Sequence, residues 1–239
     1  MESYRWRPAQ SSAMDYQVRT QTATSLLEIV LDRGESVMAE PGAMVTHTPG
    51  LEIETQSSGG GLMSSLKNSV LGGESLFQTE FTATRDGVQL TLGTSTVGDI
   101  VGIELEGETL NVQSGSYVAA GPEIGMESRG SGSSFFGGEG LFVLELSGTG
   151  PAFLEAFGGI ETITLEADQS FVVDTGHLVA WEPSLQFDTR MVASGLKSSL
   201  LSGEGRVCDF TGPGTVYVQT TDTASFADAI EPHITTGSS

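Results

Sequence analysis

The chain has 239 residues, 38% of them hydrophobic, which is enough for one large all-β domain or for two smaller domains. It carries 31 Asp and Glu against 10 Lys and Arg, a formal net charge of −21. Because such a surface repels phosphate groups, the charge argues against nucleic acid and anionic lipid surfaces as partners. The acidic residues are spread along the whole chain, so we favour adaptation to a high-salt cytoplasm over recognition of a basic partner.

The first 13 residues have no apolar core typical of a signal peptide, and they fit no repeated pattern. We expect residues 1–13 to be a disordered N-terminal extension. No run in the chain approaches the ~20 apolar residues of a membrane span, and a single cysteine excludes an intramolecular disulfide. The sequence therefore predicts a cytoplasmic protein of a salt-adapted prokaryote, with no transmembrane segment.

From residue 14 onwards a pattern recurs with a period of about 65 residues. The blocks 27–45, 100–118 and 163–179 each show alternating apolar residues, a polar turn, further alternation and then a glycine. The three glycines are Gly42, Gly115 and Gly176. Alternation with period two puts one strand face in a core and the other in water, so we interpret each block as a β-hairpin.

In a second shared motif, a glycine is followed by a glutamate and then by an apolar run. It occurs in LGGESLF at 71–77, FGGEGLF at 136–142 and LSGEGRV at 201–207. Its members are Gly73 and Glu74, Gly138 and Glu139, and Gly203 and Glu204. Three equivalent carboxylates could bind a cation on a threefold axis, but converging carboxylates also raise one another's pKa. We favour a structural role, in which glycine supplies the dihedrals of a bulge or turn and glutamate accepts backbone N–H bonds.

A third shared segment follows each glutamate and contains a turn signal: Asp86-Gly87, Gly148-Thr149-Gly150 and Gly212-Pro213-Gly214. We interpret each as a hairpin turn. The pattern thus predicts three β repeats, 14–93, 94–157 and 158–222, and a tail, 223–239, with a short helix near 224–231. Small antiparallel units with exposed edges are marginal alone, so we expect them to share one compact all-β body.

Two residues in the last repeat are candidates for ligand contact. His177 has Asp174 and Glu182 nearby in sequence, and an Asp-His pair can orient a base or a zinc ligand. A lone histidine in a strand is more often structural, and a zinc site needs three or four ligands. Trp181 is expected in the core, with contact to an aromatic ligand as the alternative. The sequence predicts no catalytic residue, no cofactor and no metal ligand.

Four stretches are specific enough to indicate a family: SSLKNSVLGGESLF, GGEGLFVLELSGTG, VDTGHLVAWEPS and GLKSSLLSGEGRVCDFTGPGTVYVQT. Over roughly residues 14–222 the sequence resembles the "altered inheritance of mitochondria 24" family, also called the mitochondrial biogenesis family. The resemblance implies three tandem units like those of tryptophan RNA-binding attenuator protein, each a short double-stranded β-helix. It also implies a homotrimer with a nine-unit ring, and the family has no established enzymatic activity.

We therefore expect a non-enzymatic scaffold or binding module, not an enzyme. It would form a homotrimeric ring and present residues 57–71 and 191–201 to an unidentified protein partner or a membrane-associated complex. The alternative is a small-molecule or cation binder with a pocket near His177 and Trp181 or on the ring axis.

Overall fold

The computed structural model describes residues 14–20, 23–57, 77–129, 143–191 and 206–233. Within these ranges the chain is mostly β-strand with one short helix, which confirms the all-β prediction.

We call residues 14–93, 94–157 and 158–222 the first, middle and last segments. The strands of the first segment are β1 (Asp15–Thr20), β2 (Ser25–Leu31), β3 (Ser36–Ala39), β4 (Met44–His47), β5 (Leu51–Ser57), β6 (Phe77–Ala83) and β7 (Val88–Gly93). Those of the middle segment are β8 (Gly98–Gln113), β9 (Tyr117–Ala120), β10 (Ile124–Arg129) and β11 (Val143–Phe157). Those of the last segment are β12 (Ile160–Leu165), β13 (Ser170–Asp174), β14 (Leu178–Trp181), β15 (Gln186–Met191), β16 (Arg206–Thr211) and β17 (Gly214–Gln219).

Strands pair mainly with distant strands of the same segment, always antiparallel. In the first segment β2 pairs with β7 and β3 with β6, while in the last segment β12 pairs with β17 and β13 with β16. The long strands β8 and β11 pair along both of their halves in the middle segment. The hairpins predicted over 27–45, 100–118 and 163–179 are therefore wrong. Alternation identifies a strand correctly, but the partner of a strand depends on contacts far away in sequence.

None of the turn signals predicted as hairpin turns closes a hairpin between the strands beside it. β6 and β7 flank Asp86-Gly87, and β16 and β17 flank Gly212–Gly214, but neither pair is hydrogen-bonded together. β11 continues through 148–150, with a register shift between Ser147 and Thr149. There Gly148 has φ +134°, and a Cβ on it would lie 2.1 Å from the carbonyl oxygen of Glu123. Glycine is required at this position because neither the dihedral nor the space accepts a side chain.

Among the described residues the first segment begins with a hairpin, β1–β2. Three further hairpins are β5–β6, β10–β11 and β15–β16. Their connections fall in 58–76, 130–142 and 192–205, outside the described residues. Those connections hold the glutamate motif, namely Gly73, Glu74, Gly138, Glu139, Gly203 and Glu204. The interpretation of that motif therefore stays a prediction, as does that of residues 1–13.

Strand addition joins the segments into one body. β9 of the middle segment pairs with β3 of the first, and β14 of the last segment pairs with β8 of the middle. Among the described residues the core has three clusters of buried side chains. Each of the first two receives side chains from the following segment. Val118 of β9 and Phe153 of β11 complete the first cluster, and Val179 and Ala180 of β14 complete the second.

The tail begins with the helix α1 (Thr223–Ile230), close to where the sequence predicts one. The Asp222 carboxylate caps it by accepting hydrogen bonds from the N–H groups of Ala224 (2.8 Å) and Ser225 (2.9 Å). Among the described residues, no helix has the length and apolar character needed to cross a membrane.

Candidate functional site

His177 lies in a short 3-10 turn between β13 and β14 and makes a backbone contact. Its Nδ1 is 2.7 Å from the carbonyl oxygen of Gln219, which fits an N–H donor at Nδ1. Gln219 in turn donates to the carbonyl oxygen of Gly176 over 2.8 Å. These bonds tie the turn to β17.

The two carboxylates that neighbour His177 in sequence accept hydrogen bonds from backbone N–H groups. Asp174 Oδ1 accepts a hydrogen bond from the N–H of Gly176 (2.9 Å), and Glu182 Oε2 accepts one from the N–H of Thr215 (3.1 Å). The acid that interacts with His177 electrostatically is Asp222, the cap of α1. Burial opposes ionisation of Asp222, but the hydrogen bonds from Ser225 and Ala224, and then the charge of His177, lower its pKa. This pair arises from the tertiary fold, and no spacing in the sequence indicates it.

Trp181 is a core residue, 4% exposed. Its ring stacks on Phe187 with centroids 5.0 Å apart and an interplanar angle of 25°. The centroid of the Phe210 ring is 6.1 Å from that of Trp181 and 5.2 Å from that of Phe187. The Trp181 ring therefore packs with two aromatic side chains of the third core cluster, which is the packing role that the sequence favours.

The repeated glycines lie in the turns between β3 and β4, between β8 and β9, and between β13 and β14. Gly42 has φ +94°, so only this glycine needs left-handed backbone. Gly115 and Gly176 lie in 3-10 turns instead. The three positions share a place in the fold but not one conformation.

A repeated feature that the sequence motifs do not reveal lies three residues beyond each glycine. The register of β4 against β7 shifts around Val45, that of β9 against β11 around Val118, and that of β14 against β17 around Val179. Each valine is thus the extra residue of a β-bulge. Val118 and Val179 are 1% and 0% exposed, whereas Val45 is 52% exposed.

A buried polar cluster lies where β9 joins β3. The Tyr117 hydroxyl accepts a hydrogen bond from Gln78 Nε2 (2.8 Å) and donates one to the carbonyl oxygen of Met38 (3.1 Å). Burial raises the pKa of this hydroxyl, which keeps it protonated and able to donate. The cluster links three strands, β3, β6 and β9, through one side chain.

Two glutamates interact at the same joint. Glu155, 3% exposed, accepts hydrogen bonds from the backbone N–H (2.6 Å) and the hydroxyl of Ser95. Burial, and next the charge of Glu155, raises the pKa of Glu40 to about 7. The Glu40 N–H donates to the carbonyl oxygen of Val118 over 2.8 Å. The joint between the first two segments therefore contains a carboxyl group that changes charge near neutral pH.

A cleft of about 790 Å³ opens between turns of the first and middle segments. Its walls include the carboxylates of Glu35 and Glu123 and the rings of Pro122 and Pro151. Neither His177 nor Trp181 lines it. In the part of the chain that the structure describes, no group of three or more His, Cys, Asp and Glu side chains could hold a metal ion.

Comparison with known proteins identifies the family. A family model described as "Mitochondrial biogenesis AIM24" matches residues 16–221. The chain belongs to this family. "Uncharacterized protein M6_Spy0233" of Streptococcus pyogenes is 33% identical over 221 residues, which cover 89% of this chain and 88% of the relative. The crystal structure of protein SPYM3_0169 from Streptococcus pyogenes superposes with a TM-score of 0.78 at 30% identity, covering 92% of this chain and 100% of that one.

These findings confirm the resemblance inferred from the sequence motifs. They assign an AIM24-family fold to nearly the whole described chain. The names of these relatives state no activity, so the function of this AIM24-family member has to be argued from its own structure.

Proposed function

We propose that this AIM24-family protein is a non-enzymatic scaffold or binding module that assembles into a homotrimeric ring of similar β units. The observation that carries the proposal is the way in which the chain joins its own segments. Each joint adds a short strand to the edge of the preceding segment and inserts a bulged valine into that segment's core. Each added unit has a further strand edge whose backbone groups can pair with another strand. Strand addition can therefore continue from one chain to the next.

The pairing pattern supports three units of similar design. Strands β2 to β7 of the first segment pair in the same pattern as strands β12 to β17 of the last segment. The pairs β2–β7, β3–β6, β4–β7 and β5–β6 correspond to β12–β17, β13–β16, β14–β17 and β15–β16. The middle segment makes the same contacts with two long strands in place of four short ones. We propose that each segment is one short double-stranded β-helix.

The contacts of the candidate ligand residues and the net charge support a role in binding a protein partner. The candidate ligand residues of the sequence take part in backbone hydrogen bonding and core packing, and the net charge of −21 favours a basic protein partner over nucleic acid. We propose that the ring works in the cytoplasm of a salt-adapted prokaryote and that residues 57–71 and 191–201 contact the partner or a membrane-associated complex.

Light scattering tests the assembly. The molar mass of the full chain is measured in multimolar KCl and again in dilute buffer, with native mass spectrometry to detect a retained ligand. We expect a trimer in salt that dissociates or unfolds in dilute buffer, because salt screens the repulsion between acidic chains. A folded monomer in both conditions contradicts the ring, and a ligand retained in stoichiometric amount supports a small-molecule binder instead.

A further inference from the structure

We infer that β4 of one copy pairs antiparallel with β13 of a second copy, with His47 opposite Val172 and Thr46 opposite Val173. This inference rests on the proposed assembly and specifies the two edges that form it. It identifies the partner of the exposed strand β4 as another copy of the same chain. The observations that carry it are the two joints within the chain.

Both internal joints have the same register relative to the repeated glycines. At the first joint Ala119 lies opposite Ala39 and Ala120 opposite Met38. At the second joint Ala180 lies opposite Val112 and Trp181 opposite Asn111. In both joints, the residue four positions after a segment's repeated glycine pairs with the residue three positions before the repeated glycine of the preceding segment. The same rule applied to Gly42 and Gly176 places Thr46 opposite Val173.

The strand that is added in each joint is buried, but its counterpart in the first segment is not. All four residues of β9 and all four of β14 are buried. All four residues of β4 are exposed. Within the described residues β4 pairs with β7 alone, so its outer edge is open. Among the described residues, no segment supplies a receiving strand for β4.

The strand that receives the addition shows the same contrast at the other end of the chain. In β3 and β8, the positions five residues before the glycine are Val37 and Leu110, which are 0% and 2% exposed. The equivalent residue of β13, Phe171, is 40% exposed, and Val172 beside it is 49% exposed. Among the described residues β13 pairs with β16 alone. The last segment therefore presents a receiving edge, and the first segment presents a strand that fits it.

The bulged valine makes the fit specific. Val118 enters the core cluster of the first segment and Val179 that of the middle segment. Val45 is the third member of this set and projects from the chain, 52% exposed. We expect it to enter the core cluster of the last segment of the second copy, beside Val173. The backbone bond from Glu40 N–H to Val118 O has its counterpart in a bond from Asp174 N–H to Val45 O of the neighbour.

The contact joins two different edges, so it is heterologous. Such contacts form a closed ring when the rotation between copies closes, and a fibre when it does not. A closed ring leaves neither edge open, which removes the aggregation hazard of two exposed strands with apolar side chains.

Cysteine cross-linking of the full chain tests the register. His47→Cys and Val172→Cys replace two exposed side chains that would lie opposite each other, within reach of a disulfide. The native Cys208 does not interfere, because burial raises its thiol pKa to about 12 and the side chain is 0% exposed. Oxidation is repeated with a short bis-thiosulfonate linker, which tolerates both pair geometries of an antiparallel ladder.

We expect neither single variant to link to itself and a mixture of the two to give covalent dimers. The double variant should give covalent species that end at the size of the assembly. His47→Cys with Ser170→Cys is the matched control, since Ser170 is exposed on the same face but two residues further along β13, roughly 7 Å away. It should link at least fivefold less.

Two results overturn the inference while leaving the proposed assembly intact. One is an oligomer by light scattering in which His47→Cys and Val172→Cys do not link, and the other is efficient linking of His47→Cys to itself, which indicates a twofold contact. A chain that stays monomeric in light scattering contradicts both the assembly and the inference. As a second variant, Val45→Asp should abolish the oligomer and leave a folded monomer with unchanged circular dichroism.

Discussion

The strands that join segments inside the chain and their counterparts at the outer edges of the first and last segments hold equivalent places, yet they differ in burial. β9 and β14 are buried throughout, while β4 is exposed throughout. Val118 is 1% exposed and Val45 is 52% exposed, although both are the extra residue of the same bulge. The comparison teaches that burial at this position is set by the presence of a neighbouring unit and not by the strand itself. A substitution should therefore act on folding at an internal joint and on association at a chain end.

The largest difference between an internal joint and an outer edge is expected when the equivalent valines are each replaced by a charged residue. Val118→Asp buries an unpaired carboxylate in the first core cluster and should cost about 4 kcal/mol or more of unfolding free energy. Val45→Asp should change the unfolding free energy of the monomer by less than about 0.5 kcal/mol, because the position is exposed there. Urea unfolding followed by circular dichroism measures both. Val118→Thr and Val45→Thr are matched controls of similar shape, and equal losses at the two positions would refute the distinction.

A second, somewhat smaller effect is expected at the joint between the middle and last segments. Trp181 lies opposite Asn111 of β8 and stacks on Phe187. Trp181→Ala should cost about 3–5 kcal/mol of unfolding free energy, because it removes a large buried ring. Trp181→Phe keeps part of the packing and should cost less. An alanine variant as stable as the parent protein would contradict the core role and favour the ligand role that the sequence left open.

The carboxyl group at the first joint makes stability depend on pH. Its pKa is about 7 in the folded protein, against an ordinary value of 4.5, so the folded state holds a proton that the unfolded chain has released. This contribution to stability is fully present below pH 4.5 and is lost as the pH rises through about 7. Glu40→Gln should therefore flatten the decline in unfolding free energy between pH 5 and pH 8. Measurements in 2 M KCl separate this effect from the repulsion between surface charges, and an unchanged slope would count against a raised pKa of Glu40.

The smallest effect is expected in the tail, where the exposed helix α1 contacts the middle segment through the rings of Phe226 and Phe157, 5.0 Å apart. Asp222→Ala removes the cap of α1 and should destabilise the helix by about 1 kcal/mol, detected as faster amide exchange over residues 223–230. Asp222→Asn can still accept the hydrogen bonds of Ala224 and Ser225, so it should retain most of the protection. If the alanine variant also lowers the stability of the joints, α1 is part of the core structure and not an appendage.

Strand positions could be predicted from sequence because they depend on local alternation. β2 is buried at every second residue from Leu27 to Leu31, as its sequence pattern indicates. The partners of these strands could not be predicted, because β2 pairs with β7 across more than fifty intervening residues. The same limit applies to the polar groups. Glu40 and Glu155 interact, but they belong to different segments and no motif connects them.

The sequence by itself determined the β-rich character, the repeated glycines, the role of Trp181 as a core residue and the family, because each depends on residue type and spacing. Only the tertiary structure decided that β9 and β14 join neighbouring segments, that the bulge falls at a valine in each segment, and that β4 and β13 are left open. These features depend on which strand edges meet, and an edge is satisfied or exposed only once the whole chain has folded.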